Sequence, residues 1–144
     1  MKGISVIIAC FNSEKVISTT LKHLQNQKHT EHIAWEVILV DNNSTDQTSA
    51  VAKTTWAEKP IVPLNVLLEE TIGEAHARKR GIQAAKYTVL SIVDDDNWVD
   101  EDWIFKINTY FENPEIGLIG CAGKGEFEST PPEWFFENQQ AFAI

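Results

Sequence analysis

Short apolar runs recur along the chain, and each gives way to polar residues that cannot remain in a core. Ile4-Ser5-Val6-Ile7-Ile8-Ala9 and Glu36-Val37-Ile38-Leu39-Val40 have hardly a polar position, the pattern of parallel strands covered on both faces. Leu64–Leu68 and Val89–Val93 are of the same kind. Helical spacing fills the gaps between them. Val16, Ile17, Thr20, Leu21 and Leu24 predict a helix capped by Asn12 or Ser13 and fraying near Gln27. Ser44 or Thr45 would cap a second, running to about Thr54. A third passes through Ala75, Ala77, Arg78, Gly81, Ile82 and Ala85, whose small residues suit close packing on a sheet. Trp103, Ile104, Ile107, Tyr110 and Phe111 give a fourth, from about Asp100 to Glu112, an apolar face that Asn113-Pro114 ends. Ile116–Ala122 predicts a further strand, and from Gly123 onward periodicity dissolves into a Pro-broken aromatic segment. Strands alternating with helices predict a doubly wound α/β domain, a mostly parallel sheet with helices on both faces.

In such a sheet ligands bind at the carboxyl ends of the strands. There Val89-Leu90-Ser91-Ile92-Val93 runs into Asp94-Asp95-Asp96, and three adjacent acids must leave the core because an unpaired buried carboxylate is too costly. If the chain stays extended, Asp94 and Asp96 point the same way. Two hard oxygen ligands suit Mg²⁺ or Mn²⁺ with positions left for a phosphate-bearing ligand. A solvated acidic turn leading into the next helix is the other reading. Asp41 ends the second strand, and would share the crevice of Asp94 if the two strands are parallel neighbours. Alternatively it bonds its own loop. Arg78, Lys79 and Arg80 form the one basic cluster, and a guanidinium there could reach a diphosphate. His23, His29 and His32 lack an acid partner at ligand spacing and are expected at the surface.

The 144 residues suffice for one core, and 12 basic against 21 acidic side chains, a formal charge of −9, argue against a nucleic-acid or anionic-membrane binder. An anionic small ligand held through a metal and local cations stays compatible with that charge. The amino terminus does not read as a signal peptide, and no apolar run approaches the roughly 20 residues of a membrane span. Cys10 and Cys121 are expected as buried free thiols, and the cytoplasm as the location.

Four stretches taken together, ISVIIACFN (4–12), VILVDNNSTDQT (37–48), GEAHARKRGIQAA (73–85) and LSIVDDDN (90–97), resemble the family 2 inverting glycosyltransferases of the GT-A fold. The resemblance covers residues 1 to about 122. It implies a nucleotide-diphosphate sugar donor, often UDP-linked, a saccharide or lipid-linked acceptor, and a divalent metal, Mg or Mn. By motif position Asp96 resembles the direct metal ligand, with Asp94 and Asp95 supporting metal or ribose. Asp41 and Asn42 would lie against the nucleobase, Ala9, Cys10 and Phe11 would line its pocket, and Gly73 and Arg78 would approach the base or diphosphate. Many members have Asp where this chain has Asn42, and Asn where it has Lys79. The family's catalytic base comes from the acceptor half, expected beyond Ile144. Residues 1–122 therefore read as the donor-binding half, and 123–144 as the start of an incomplete acceptor region in an amino-terminal portion of a longer enzyme. Glu133 and Glu137 are the late acids near aromatics, but neither matches the base motif. Trp134, Phe135, Phe136 and Phe142 are expected as an exposed apolar patch or dimer contact, and a peripheral membrane contact is compatible. The rival readings are a non-catalytic nucleotide-binding remnant and a sugar nucleotidyltransferase, whose basic glycine-rich loop is missing after the first strand. A phospho-receiver domain would need acids where the first strand ends in Ala9-Cys10-Phe11.

Overall fold

Strand β1 (Ile4–Cys10) occupies the interior of a parallel sheet of four strands in the order β3-β2-β1-β4. The computed structural model describes residues 1–127, 129–138 and 141. β2 (Trp35–Asp41) and β4 (Val89–Asp94) flank β1, and β3 (Leu64–Leu68) pairs with β2. The condition under which Asp41 would share the crevice of Asp94, that β2 and β4 are neighbours, is not met, because β1 lies between them. Cys10 is level with Asp41 on one side and Ala9 with Asp94 on the other.

Helices α1 (Ile17–Gln25), α2 (Thr48–Glu58), α3 (Glu74–Ala84) and α4 (Trp103–Tyr110) follow β1 to β4 in turn. Period-2 alternation divides β1 between two cores. Ile4, Val6, Ile8 and Cys10 pack with Leu21, Leu24, Trp56 and Ile104, whereas Ile7 joins Ile38, Val40 and Ala77 on the α3 side. That double coverage is why β1 and β2 read as continuous apolar runs. α3 lies close because it is small at the contact: a Cβ on Gly81 would sit 2.4 Å from Ile7 Cγ2. β4 is covered on one side, so Val93 is buried while Leu90 and Ile92 are exposed.

No helix takes the cap expected for it. Val16 precedes α1 and Gln47 precedes α2, without side-chain cap bonds. Asp46 accepts the Thr48 N–H instead, and α2 continues to Glu58. The predicted strand at Ile116–Ala122 is also absent, and the segment is irregular. A strand needs a neighbour as well as apolar residues, and Cβ atoms built on Gly117 and Gly120 would meet nothing within 4 Å. Cys121 is consequently exposed, while Cys10 is buried as expected.

The chain divides into two compact units, residues Met1–Asn113 and the remainder from Pro114. Within the second, a short helix α5 (Glu133–Asn138) orders the aromatic segment. Phe127 and Phe135 stack edge to face at 5.2 Å, and Trp134 and Phe136 are exposed. Phe142 lies outside the described residues. No helix among the described residues is long and apolar enough to cross a membrane.

At the sheet's amino edge, Glu36 is buried beneath the turn before β4. Its carboxylate accepts from Ser5 Oγ (2.8 Å) and Lys86 N (2.8 Å) and pairs with Lys86 Nζ (3.2 Å). Burial alone would raise its pKa, but the Lys86 N–H, the Ser5 hydroxyl and the Lys86 ammonium outweigh that and hold it below the usual glutamate range. A depressed folded-state pKa contributes stability above the unfolded value, and that contribution is lost as pH falls through the folded one. Glu36→Gln should therefore cost about 1.5–3 kcal/mol at neutral pH. Urea unfolding of both proteins should show the gap closing as pH drops below the ordinary glutamate range, and a pH-independent gap would contradict this account.

Candidate functional site

The chain reverses its winding direction between β3 and β4, so the carboxyl ends of β1 and β4 part and leave a crevice. A cleft of about 460 Å³ opens there. Ala9, Cys10 and Phe11 form its β1 side, and Asp94, Asp95 and Asp96 its β4 side. Asn42 closes it from the end of β2, and Ile72, Gly73, Glu74 and Ala77 from the loop before α3 and the start of that helix.

The three acids are not equivalent. The chain is not extended past Asp94: Asn97 N–H donates to Asp94 O at 3.2 Å and closes a turn. Strand alternation therefore does not orient these carboxylates. Asp94 pairs with Arg78 at 3.0 Å. Asp95 is tied inward, its carboxylate accepting from the Ser13 hydroxyl and its carbonyl from Thr20 Oγ1 at 2.7 Å. Asp96 is exposed and has no hydrogen bond or ion pair among the described residues.

Arg78 stands at the rim, between Asp94 and Glu74. Its Nε is buried without a partner among the described residues. Asp41 does not line the cleft. It is buried and accepts from Ser44 N–H (2.9 Å) and Ser49 Oγ (2.6 Å), the loop-bonded arrangement rather than the crevice one. Asn42 does line it, but both amide hydrogens turn away, onto Glu69 O and Thr71 O. His23 is half-buried rather than simply solvated, stacked on Trp98 with ring centroids 5.7 Å apart.

The loops after β1 and β2 hold each other through reciprocal bonds. Asn12 N–H donates to Ser44 Oγ (2.9 Å) and Thr45 N–H to Asn12 Oδ1 (2.8 Å). Ser13 N–H donates to Thr48 Oγ1 (2.7 Å), Glu14 N–H to Asp46 Oδ2 (3.1 Å), and Gln47 N–H to Glu14 Oε2 (3.0 Å). Asn12 and Asn43 take positive φ of 54° and 62°, a conformation asparagine tolerates better than most residues. Ser13, Ile72, Glu74 and Ala77 were not singled out from the sequence as site residues. For the last three the signal was Gly73, which opens a helix at the ligand edge; Ser13 read only as a cap.

Cys10 reports the field of this edge. Burial first, then Asp95, Asp41 and Asp46, pushes its thiol far above the ordinary range. It is a neutral wall, not a nucleophile. No group of three or more His, Cys, Asp or Glu side chains among the described residues could hold a metal. Mg²⁺ and Mn²⁺ do not require one, since one or two carboxylates plus ligand phosphates and water suffice. Free Asp96 beside Asp94 fits that donor set, whereas Asp95 is committed to Ser13.

The model of a family described as glycosyl transferase family 2 matches residues 5–141. EpsH of Bacillus subtilis is 29% identical over 128 residues, 89% of this chain and 36% of that protein. The poly-β-1,6-N-acetyl-D-glucosamine synthase of Staphylococcus aureus is 26% identical over 120 residues, 83% of this chain and 28% of that enzyme. The crystal structure of Staphylococcus aureus TarS 1–349 in complex with UDP superposes with a TM-score of 0.70 at 28% identity, covering 90% of this chain and 39% of that one. The chain thus spans well under half the length of these relatives.

If the Ser13 hydroxyl holds the acidic turn, Ser13→Ala should destabilise the domain by about 1–3 kcal/mol, the cost of leaving a charged acceptor short of a donor. Thr45→Ala, at an exposed hydroxyl of the same loops, should stay within about 0.5 kcal/mol of wild type. Chemical denaturation of both variants checks this, and equal losses would show that Asp95 does not depend on Ser13.

Proposed function

Because the chain belongs to glycosyl transferase family 2, we propose that its acidic cleft binds a nucleotide-diphosphate sugar and prepares the sugar for inverting transfer to a saccharide or lipid-linked acceptor. The observation that carries this reading is the division of labour among the three acids that line the cleft: Asp95 is anchored by Ser13 and Thr20, Asp94 is shared with Arg78, and Asp96 is unengaged among the described residues. TarS, whose structure is known with UDP and with UDP-GlcNAc, supports a uridine diphosphate donor.

Sugar departure leaves negative charge on the diphosphate. A divalent metal, when bound, supplies Lewis-acid stabilisation of that charge, and Asp96 with Asp94 are the residues to hold it. Arg78 adds a cation at the rim. Its guanidinium already leans on Asp94 and Glu74, and the diphosphate would compete for it, with buried Nε–H as an unused donor. Phe11, half-exposed beside Ala9 and Cys10, offers an aromatic face to the base, with Asn42 and Gly73 opposite. Asp41 shapes the β2 loop rather than touching ligand. The general base for the acceptor hydroxyl belongs to the acceptor side and is assigned to none of these residues.

Calorimetric titration of UDP and of uridine, with and without Mn²⁺, tests the reading. Mn²⁺ should tighten UDP and leave uridine unchanged. Asp96→Ala should lose most of that gain, and Asp100→Ala, on the following turn, little. Arg78→Ala should weaken UDP roughly tenfold to hundredfold, the loss of one charge-assisted hydrogen bond, and uridine far less. Equal UDP affinity with and without Mn²⁺ in the wild type would remove the metal from the reading.

A further inference from the structure

We propose that Asn42 is a positioning residue that holds the loop between β3 and α3 as a fixed wall of the cleft, and that only an amide can do so there. The loop, residues 69–73, has no apolar anchor where it meets the cleft: Ile72 is 70% exposed, and Leu68 just before it is 56% exposed. Its place is set by polar bonds. Glu69 N–H donates to Asp41 O at 2.9 Å, extending the β2–β3 pairing by one bond. The anchors beyond it converge on one side chain. Asn42 Nδ2 donates to Glu69 O (3.1 Å) and Thr71 O (2.7 Å), and Asn42 Oδ1 accepts the Gly73 N–H (2.7 Å). Thr71 N–H turns back onto Glu69 Oε1 at 2.8 Å, which stiffens the loop but ties it to nothing else.

Asn42 is itself fixed. It is 4% exposed, and its N–H donates to Cys10 O at 2.8 Å. The amide orientation follows from the partners, since two carbonyls demand the NH₂ end and an N–H demands the oxygen. Gly73, whose N–H donates to Asn42 Oδ1, has φ of 133°, a conformation that favours glycine. The loop geometry and the amide therefore specify each other. A carboxylate at position 42 would have no hydrogen for Glu69 O or Thr71 O and would set a negative charge against both carbonyls, which drives the loop, and the Gly73 N–H with it, off the side chain. A protonated carboxyl has one hydrogen to donate and would restore part of the latch.

That difference supplies a test that loss of packing would not mimic. Amide hydrogen exchange at Gly73 would be compared in wild type, Asn42→Asp and Asn42→Ala, with β1 and β2 amides as the control for folding. At about pH 8 both variants should lose at least about tenfold in protection at Gly73, the equivalent of one hydrogen bond. On lowering the pH to about 5, near the raised pKa of a buried carboxyl, Asn42→Asp should recover and Asn42→Ala should not. Asp41, Glu69 and Cys10 beside the site, with Glu74, His76 and Arg80 on α3, are common to all three proteins, and Asn42→Ala is the control for their contribution. Uridine affinity, which involves no phosphate, should follow the same recovery. Wild-type protection of Gly73 in Asn42→Asp at about pH 8, or parallel pH profiles for the two variants, would overturn the latch. The binding arm rests on the nucleotide reading. If wild type bound no uridine, that reading would fail while the exchange arm still decided the latch.

Discussion

Carboxylates crowd at one edge of this sheet, and the architecture of the site follows from where each finds its donors. Asp41, Asp46, Asp94, Asp95 and Asp96 all lie in or beside the loops that leave the carboxyl ends of β1, β2 and β4. Like charges so placed repel one another, and the cost shows in the Cys10 thiol, which burial and then Asp95, Asp41 and Asp46 drive upward. The chain offsets the repulsion with neutral donors. Ser44 N–H and Ser49 Oγ hold Asp41, Thr48 and Glu14 hold Asp46, and Ser13 holds Asp95. Each bond of this kind also fixes a loop, so electrostatic relief and loop geometry have the same origin. What is left over is chemically useful: Asp94 shared with one arginine, and Asp96 free beside it.

Topology decides where the remainder faces. The order β3-β2-β1-β4 makes the crossover after β3 pass beyond β1, which opens a crevice between diverging loops. α3 is the helix of that crossover. Its first turn therefore delivers Glu74 and Ala77 to the cleft, with Arg78 just after them paired to Asp94, and its Gly81 lets it sit close enough on β1 and β2 to do so.

Much of this was legible in the chain. β1 to β4 and α1 to α4 declared themselves through apolar runs and helical spacing, because both central strands are buried on two faces. The acidic turn declared itself because three carboxylates cannot continue a core strand. The helix caps were misread for a physical reason. Ser13 and Ser44 have the chemistry of a cap, but their hydroxyls bond partners 82 and 32 residues away, and no local window contains such partners. Asp41 and Asn42 are adjacent, and backbone geometry alone turns the first into its own loop and the second toward the cleft. Ile116–Ala122 has strand-like composition without a strand beside it. Composition proposes a strand, but only a neighbour makes one.

The central claim is that Asp94 and Asp96, alone among the crowded acids, are left to hold a metal together with a nucleotide diphosphate. Mn²⁺ is paramagnetic and broadens the resonances of nuclei near it, so a two-dimensional NMR titration locates it directly. With UDP present, the account predicts broadening centred on the amides of Asp94 to Asn97 and reaching Cys10 and Phe11, and much weaker broadening without the nucleotide. Broadening centred instead on Asp46 and Glu14, or identical with and without UDP, would contradict it.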